Sequence, residues 1–243
     1  MAATTSDTIV APLVLPIDAI QPIGSREQFI LDACRGKTVL HVGCTDAPLT
    51  AERLKAGDLL HVGVTKAAKR CIGLDLSRDG IAILAAAGLD NVEYGNAEKM
   101  DTAHFRAEGI DLIVAGEVIE HMNNPGLFLE GCAEILKDGG ELLITVPNAF
   151  APSRFVHLLL GREVVHKDHV AYYSPKTMTE LIRRHGFHVT FLGLTYPYPK
   201  RPLLQPWKVL VYALHKARPV FGWSCVFIAT MGTPAAAAKR VLG

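Results

Sequence analysis

Gly116-Glu117-Val118-Ile119-Glu120-His121 sets three ionisable side chains side by side, directly after the apolar stretch Ile110–Ala115. At the end of a buried strand such a cluster is costly unless its members are solvated, paired or used. His121 is the natural acid–base candidate, because imidazole exchanges protons near neutral pH. Other apolar stretches end in suggestive residues. Val42-Gly43-Cys44-Thr45-Asp46 opens on a glycine that lets a ligand approach the backbone. Cys71-Ile72-Gly73-Leu74-Asp75 closes on an acid able to accept both ribose hydroxyls of an adenosine-type ligand. Gly95-Asn96-Ala97-Glu98 offers polar side chains to an adenine edge. Alone, each is also what an ordinary turn or helix cap looks like. Together they sit where ligands bind in open α/β sheets, beyond the carboxyl ends of the strands.

The elements that must carry these residues follow from the pattern. Thr38–Gly43, Cys71–Asp75, Asn91–Tyr94, Ile110–Ala115 and Gly140–Val146 are short β-rich apolar runs, the signature of buried strands. Helical patterns alternate with them: one from Ser25 to Gly36, one capped by Ser77 and stopped at Gly88, one through Leu127–Leu136, and one opened by Ser174-Pro175 and ended at Gly186. Phe187–Leu194 and Trp223–Met231 add two last strands. Alternation of this kind implies a doubly wound, mostly parallel α/β sheet of seven strands, the last inserted antiparallel. Residues 1–24 are expected to form an N-terminal arm, and 25–243 a single domain. Segments at about 149–173 and 196–222 are expected to cover the substrate. The echo between Leu40-His41-Val42-Gly43 and Leu60-His61-Val62-Gly63 reads as chance.

Composition narrows the partners. Hydrophobic residues make up 49% and charged residues 20% of 243 residues, which is globular. A net charge of +1 supplies no field to gather nucleic acid or an anionic membrane. The five cysteines are scattered and never spaced C-x-x-C, so neither a disulfide framework nor a zinc knuckle is expected, and a reducing, cytoplasmic setting fits. The first residues lack the basic segment of a signal peptide, and no apolar run reaches the roughly 18 residues of a spanning helix.

Taken in order, Gly116-Glu117-Val118-Ile119-Glu120-His121, Asn124-Pro125, Leu136-Lys137-Asp138-Gly139-Gly140, Thr145-Val146-Pro147-Asn148, Tyr172-Tyr173-Ser174-Pro175-Lys176-Thr177 and Arg184-His185-Gly186-Phe187 resemble the ubiquinone-biosynthesis-type branch of class I S-adenosylmethionine (SAM) methyltransferases. The resemblance implies SAM as cofactor. It implies a cofactor-binding set of Gly43, Cys44, Thr45, Asp46, Asp75, Leu76, Asn96, Ala97, Glu98 and Glu117. Asp75 would sit on the ribose, Asn96 and Ala97 on the adenine, and Glu117 beside the transferred methyl group. The chain departs from the family where it usually reads Asp-x-Gly-x-Gly-x-Gly: His41 replaces the acid, and Thr45 and Ala47 replace the second and third glycines. The stretch from Gly43 to Asp75 is also longer than usual.

Because the sulfonium of SAM is already a strong electrophile, the protein chiefly has to align a nucleophile with the methyl group. O-methylation with His121 as general base, and Glu117 beside it, is the expected chemistry. Glu117, Glu120, His121 and His169 also resemble the metal-binding set of small-RNA 2′-O-methyltransferases and some ubiquinone-pathway enzymes, which implies an optional divalent ion. The acceptor is expected to be a small molecule or saccharide. Arg154, Arg162, His166, Lys167 and His169, with Phe155 and Leu158–Leu160, form a basic and apolar mouth for an anionic group. The helix at 203–217 could act as a lid or dimer face, or touch a membrane surface. A SAM-binding domain with little transferase activity, and an NAD-type oxidoreductase, are the competing classes. The latter lacks G-x-G-x-x-G after the first strand.

Overall fold

The computed structural model describes residues 19–196, 209, 213 and 217–232. Residues 1–18 of the expected arm, and the helix expected at 203–217 apart from residues 209, 213 and 217, therefore lie outside the described residues. The chain opens with a short strand, β1 (Gln21–Ile23), and a helix, α1 (Arg26–Cys34), whose N-cap Ser25 accepts from the Gln28 amide at 3.2 Å. Strand β2 (Thr38–Val42) leads into two short helices, α2 (Thr50–Ala56) and α3 (Leu60–Ala67). Then β3 (Arg70–Asp75), α4 (Arg78–Ala86), β4 (Val92–Tyr94), α5 (Thr102–Ala107), β5 (Leu112–Gly116), α6 (Pro125–Ile135) and β6 (Glu141–Pro147) alternate. Helices α7 (Pro152–Leu159) and α8 (Pro175–Arg184) precede the closing pair β7 (Phe187–Thr195) and β8 (Ser224–Met231).

The eight strands form one sheet in the order β1-β7-β8-β6-β5-β2-β3-β4. Every pairing is parallel except those of β8 with β6 and β7, as expected for an inserted last strand. The count differs from the expected seven. Gln21–Ile23, inside the segment expected to be an arm, pairs with Gly193–Thr195 and buries Ile23 against the sheet. A three-residue edge strand has too short a pattern to stand out in sequence. Likewise α2, α3, α5 and α7, of six to eight residues each, are not among the helices expected from the sequence.

Both faces of the sheet are covered. Leu40, Ile113, Ile144 and Phe128 belong to one cluster, Val39, Leu112, Val114 and Ile30 to the other, and all are fully buried. This two-sided burial is why the central strands read as continuous apolar runs. The chain runs β2→β3→β4 to one side, then returns to place β5 on the other side of β2. The carboxyl ends of β2, β3 and β5 therefore converge at the point where the winding reverses, the standard ligand position of such sheets. Among the described residues no helix is long and apolar enough to cross a membrane.

Candidate functional site

A cavity of about 500 Å³ opens at that reversal point, within the range of small-molecule and cofactor sites. Gly43, Cys44, Thr45, Asp46, Asp75, Glu117 and His121 all line it. Residues from three separate strand ends are thus brought together by the topology. Leu76, Asn96, Ala97 and Glu98 are absent from this lining. Leu76 is exposed beside Asp75. Asn96 caps the single turn Ala97–Lys99 through its Oδ1 and the Glu98 amide. Glu98 accepts from the amides of Asn123 and Asn124 and from Asn124 Nδ2, which commits its carboxylate to fastening the approach to α6.

The loop after β2 explains how the altered glycine motif is accommodated. Gly43 has φ +70°, and a Cβ there would lie 2.3 Å from Val118 Cγ2, so glycine is required twice over. Thr45 is fully buried, and its side chain presses on Gly80 of α4, where a Cβ would stand 2.7 Å away. A glycine on the neighbouring helix therefore makes the room that the motif's own glycine usually provides. Asp75 Oδ2 accepts from the Thr45 amide at 2.9 Å and Oδ1 from the Ser77 amide at 2.8 Å. A carboxylate oxygen has two acceptor positions, so each keeps one for a ligand hydroxyl. Asp46 has φ 54° and forms an ion pair with Arg53 at 2.9 Å, so its carboxylate is engaged within the wall. Burial and the Asp75 charge push the Cys44 thiol well above its ordinary value, which leaves it unreactive.

Arg26 and His41 are among the lining residues that no sequence pattern marks as functional. Arg26, from the first turn of α1, reaches the ends of β5 and β6 and donates to Thr145 Oγ1 at 3.3 Å. Its partner lies 119 positions away, so no local pattern could have revealed it. His41, noted only as a lost acid, is 2% exposed and its Nδ1 sits 3.2 Å from Nδ1 of His61. The repeated Leu-His-Val-Gly thus places one histidine on a strand and one on α3, and the two rings meet. Burial first, then the charges of His61 and Arg26, hold His41 down at about 3.

That shift has a stability consequence. The unfolded chain takes up this proton near the usual 6.5 and the folded chain only near 3, so stability is full above about 6.5 and is lost as pH falls towards 3. At pH 5 the contribution lost is about 2 kcal/mol. Urea unfolding at pH 7.5 and 5 should show a smaller drop in His41→Gln than in the unaltered chain; equal drops would refute the assignment.

The segment after β5 forms the other wall. Glu117 has φ 58°, unusual for a non-glycine residue and common where a side chain must be aimed. Its amide donates to Thr145 O, and Ser224 Oγ of β8 donates to its Oε1 at 2.6 Å. A single turn, Ile119–His121, follows. His121 Nδ1 lies 3.1 Å from Asp168 O; a carbonyl only accepts, so Nδ1 donates to it, and in the neutral ring Nε2 carries the lone pair. Glu120 turns inward and is 1% exposed, with no hydrogen-bond partner for either carboxylate oxygen among the described residues. Burial, with the Glu117 charge, raises it to about 8. His169 Nε2 stands 3.9 Å from Glu120 Oε1 and is held at about 4, by burial first and then by the neighbouring His121 and His166.

The family model described as methyltransferase domain matches residues 22–191 of this chain. The chain belongs to the methyltransferase domain family. Curated relatives of this methyltransferase include the ubiquinone biosynthesis O-methyltransferase of Hahella chejuensis, 24% identical over 84% of this chain and 86% of the relative. Those of Bordetella avium (27%, 62% of this chain, 59% of the relative) and Rattus norvegicus (26%, 66% and 47%) carry the same name. Among solved structures, a putative methyltransferase from Bacillus halodurans C-125 aligns with TM-score 0.56 at 17% identity, covering 86% of this chain and 100% of that one. Magnesium protoporphyrin IX methyltransferase from Synechocystis PCC 6803, solved with bound S-adenosylhomocysteine (SAH), aligns with TM-score 0.55 at 11% identity, covering 85% and 83%. This methyltransferase is SAM-dependent, and its fold is the Rossmann-like one of these structures.

Proposed function

We propose that this methyltransferase transfers the methyl group of SAM to a hydroxyl of a small, largely apolar acceptor, and that the hydroxyl gives up its proton beside His121. One observation carries the reading. His121, its ring fixed by the bond from Nδ1 to the Asp168 carbonyl, lines the same cavity as Gly43 and Asp75. In this account Asp75 holds the ribose hydroxyls, and Gly43–Asp46 pass under the methionine end. Asn96, Ala97 and Leu76 flank the adenine beyond Asp75, and Glu117 faces the methyl group. Arg26, a cation in the wall, meets the cofactor carboxylate. Arg26→Ala should therefore weaken SAM binding about 10- to 100-fold, the worth of one charge-assisted hydrogen bond. Unchanged affinity in a calorimetric titration would remove Arg26 from the site.

The acceptor is argued from the cover. A second cavity, about 200 Å³, is lined by Ala149, Arg154, Leu158, Glu163, Val164 and Tyr172. Arg154 lies over the Tyr172 ring at 4.5 Å and donates to Asn148 O, which fixes one cation at a mouth where Glu163 is the other charged group and the remaining lining is apolar or aromatic. Such a lining suits an aromatic or alkyl body better than a saccharide. The relatives named for ubiquinone biosynthesis point the same way, towards a phenolic hydroxyl. Labelled methyl transfer to a panel of alkylated catechols and of saccharides tests this. Transfer to catechols is expected; transfer confined to saccharides would overturn the acceptor class.

A second reading is favoured by Glu120. A buried carboxylate without a partner is expensive, and imidazoles stand beside it. Glu117, Glu120, His121 and His169 offer the oxygen and nitrogen donors a divalent ion accepts, and the unpartnered Glu120 oxygens support such an occupant. When bound, such an ion holds a hydroxyl and lowers its pKa. His121 Nε2 would then be a ligand rather than a base. Exhaustive chelation separates the two: turnover is lost under the metal reading and kept under the general-base one.

A further inference from the structure

Helix α7 is followed by a loop that folds back over the turn Ile119–His121. Two hydrogen bonds dock it there: Val170 N to Glu120 O at 2.9 Å, and His121 Nδ1 to Asp168 O at 3.1 Å. The docking gathers three imidazoles. The ring centroids of His121 and His169 are 4.6 Å apart, those of His166 and His169 5.1 Å, and those of His121 and His166 5.7 Å. One ligand nitrogen from each lies within 4.8 Å of the other two. His166 is exposed, so small rotations of its ring are cheap, whereas His121 is held by the Asp168 carbonyl and His169 is half-buried against the unpartnered Glu120 carboxyl group.

We propose that His166 completes a three-imidazole, one-carboxylate metal centre with His121, His169 and Glu120, and that this centre takes a late first-row transition ion in preference to magnesium. The inference deepens the metal-assisted reading above and rests on it. Its new content is the third histidine and the choice of ion. Magnesium is a hard cation that prefers oxygen ligands and keeps its waters. Imidazole suits zinc, cobalt, nickel, copper and iron, and affinities for nitrogen sites rise from manganese through cobalt towards copper. A set with three nitrogens and one carboxylate oxygen is therefore biased against magnesium by its composition. His166 and His169 come from the loop and not from the turn that carries Glu120 and His121, so the centre also ties the loop to the cavity wall.

The test is a binding measurement on the full chain, stripped of metal by chelation, with cobalt(II), zinc(II) and magnesium as the probes. Calorimetry and the visible absorption of bound cobalt(II) are the readouts; turnover is not needed. One cobalt ion per chain is expected, with zinc as tight or tighter and magnesium at least 100-fold weaker. His166→Ala should weaken cobalt at least tenfold and shift its absorption, since a nitrogen ligand is lost. His104→Ala, an exposed histidine paired with Glu93 outside the cluster, should change neither. If His166→Ala binds as the unaltered chain does while Glu120→Gln or His169→Ala loses the metal, the role of His166 is overturned and the metal reading survives. Magnesium binding as tight as cobalt overturns the choice of ion. No binding of any of the three ions overturns both.

Discussion

Asp75→Ala is expected to abolish measurable SAM binding at concentrations that saturate the unaltered chain. The side chain accepts from the amides of Thr45 and Ser77, so it sets the shape of the loop after β2, and in the proposed account it also offers acceptors to the ribose. Two hydrogen bonds to a charged acceptor contribute about 1.5–3 kcal/mol each, which makes the loss about 100-fold or more. Asp75→Asn, which keeps one acceptor oxygen, should fall between the two. Equilibrium dialysis with labelled SAM reads the effect, and a melting curve of the free variant separates loss of the loop from loss of the fold. Affinity within a factor of two or so of the unaltered chain would mean that the cofactor does not use this strand end.

His121→Ala should lower turnover by about 10²–10⁴-fold, the usual worth of a positioned proton acceptor. SAM affinity should stay close to that of the unaltered chain, because the cofactor contacts proposed here come from Gly43–Asp46, Asp75 and Arg26. That split, a large fall in kcat with little change in cofactor Kd, is what separates a residue at the transferring end from one that shapes the cavity. If His121 instead holds an ion, its loss also lowers metal affinity, and added cobalt(II) should partly restore turnover. A variant with full activity would leave the proton with another group.

Much of the sheet was legible because its strands are buried on both faces. Continuous apolar runs such as Thr38–Val42 and Leu112–Gly116 can be little else in a chain that alternates them with helical periods. β1 was not legible, since three residues at an edge carry too little pattern. The cavity lining was legible where it sits at a strand terminus, as at Gly43, Asp75 and Glu117. Residues that act across the fold were not. Arg26 meets Thr145, Ser224 meets Glu117, and His166 meets His121 only because the sheet order and a docked loop bring them together. Thr45 looked like damage to a glycine motif, and the compensation at Gly80 is visible only in the packing.

The catalytic claim is geometric, so a crystal structure with bound SAH tests it most directly. The account predicts the ribose hydroxyls on Asp75 and the thioether sulfur turned towards Glu117 and His121, with open space between sulfur and imidazole for an acceptor hydroxyl. SAH seated away from Asp75, or with its sulfur shielded from His121 by protein, would contradict it.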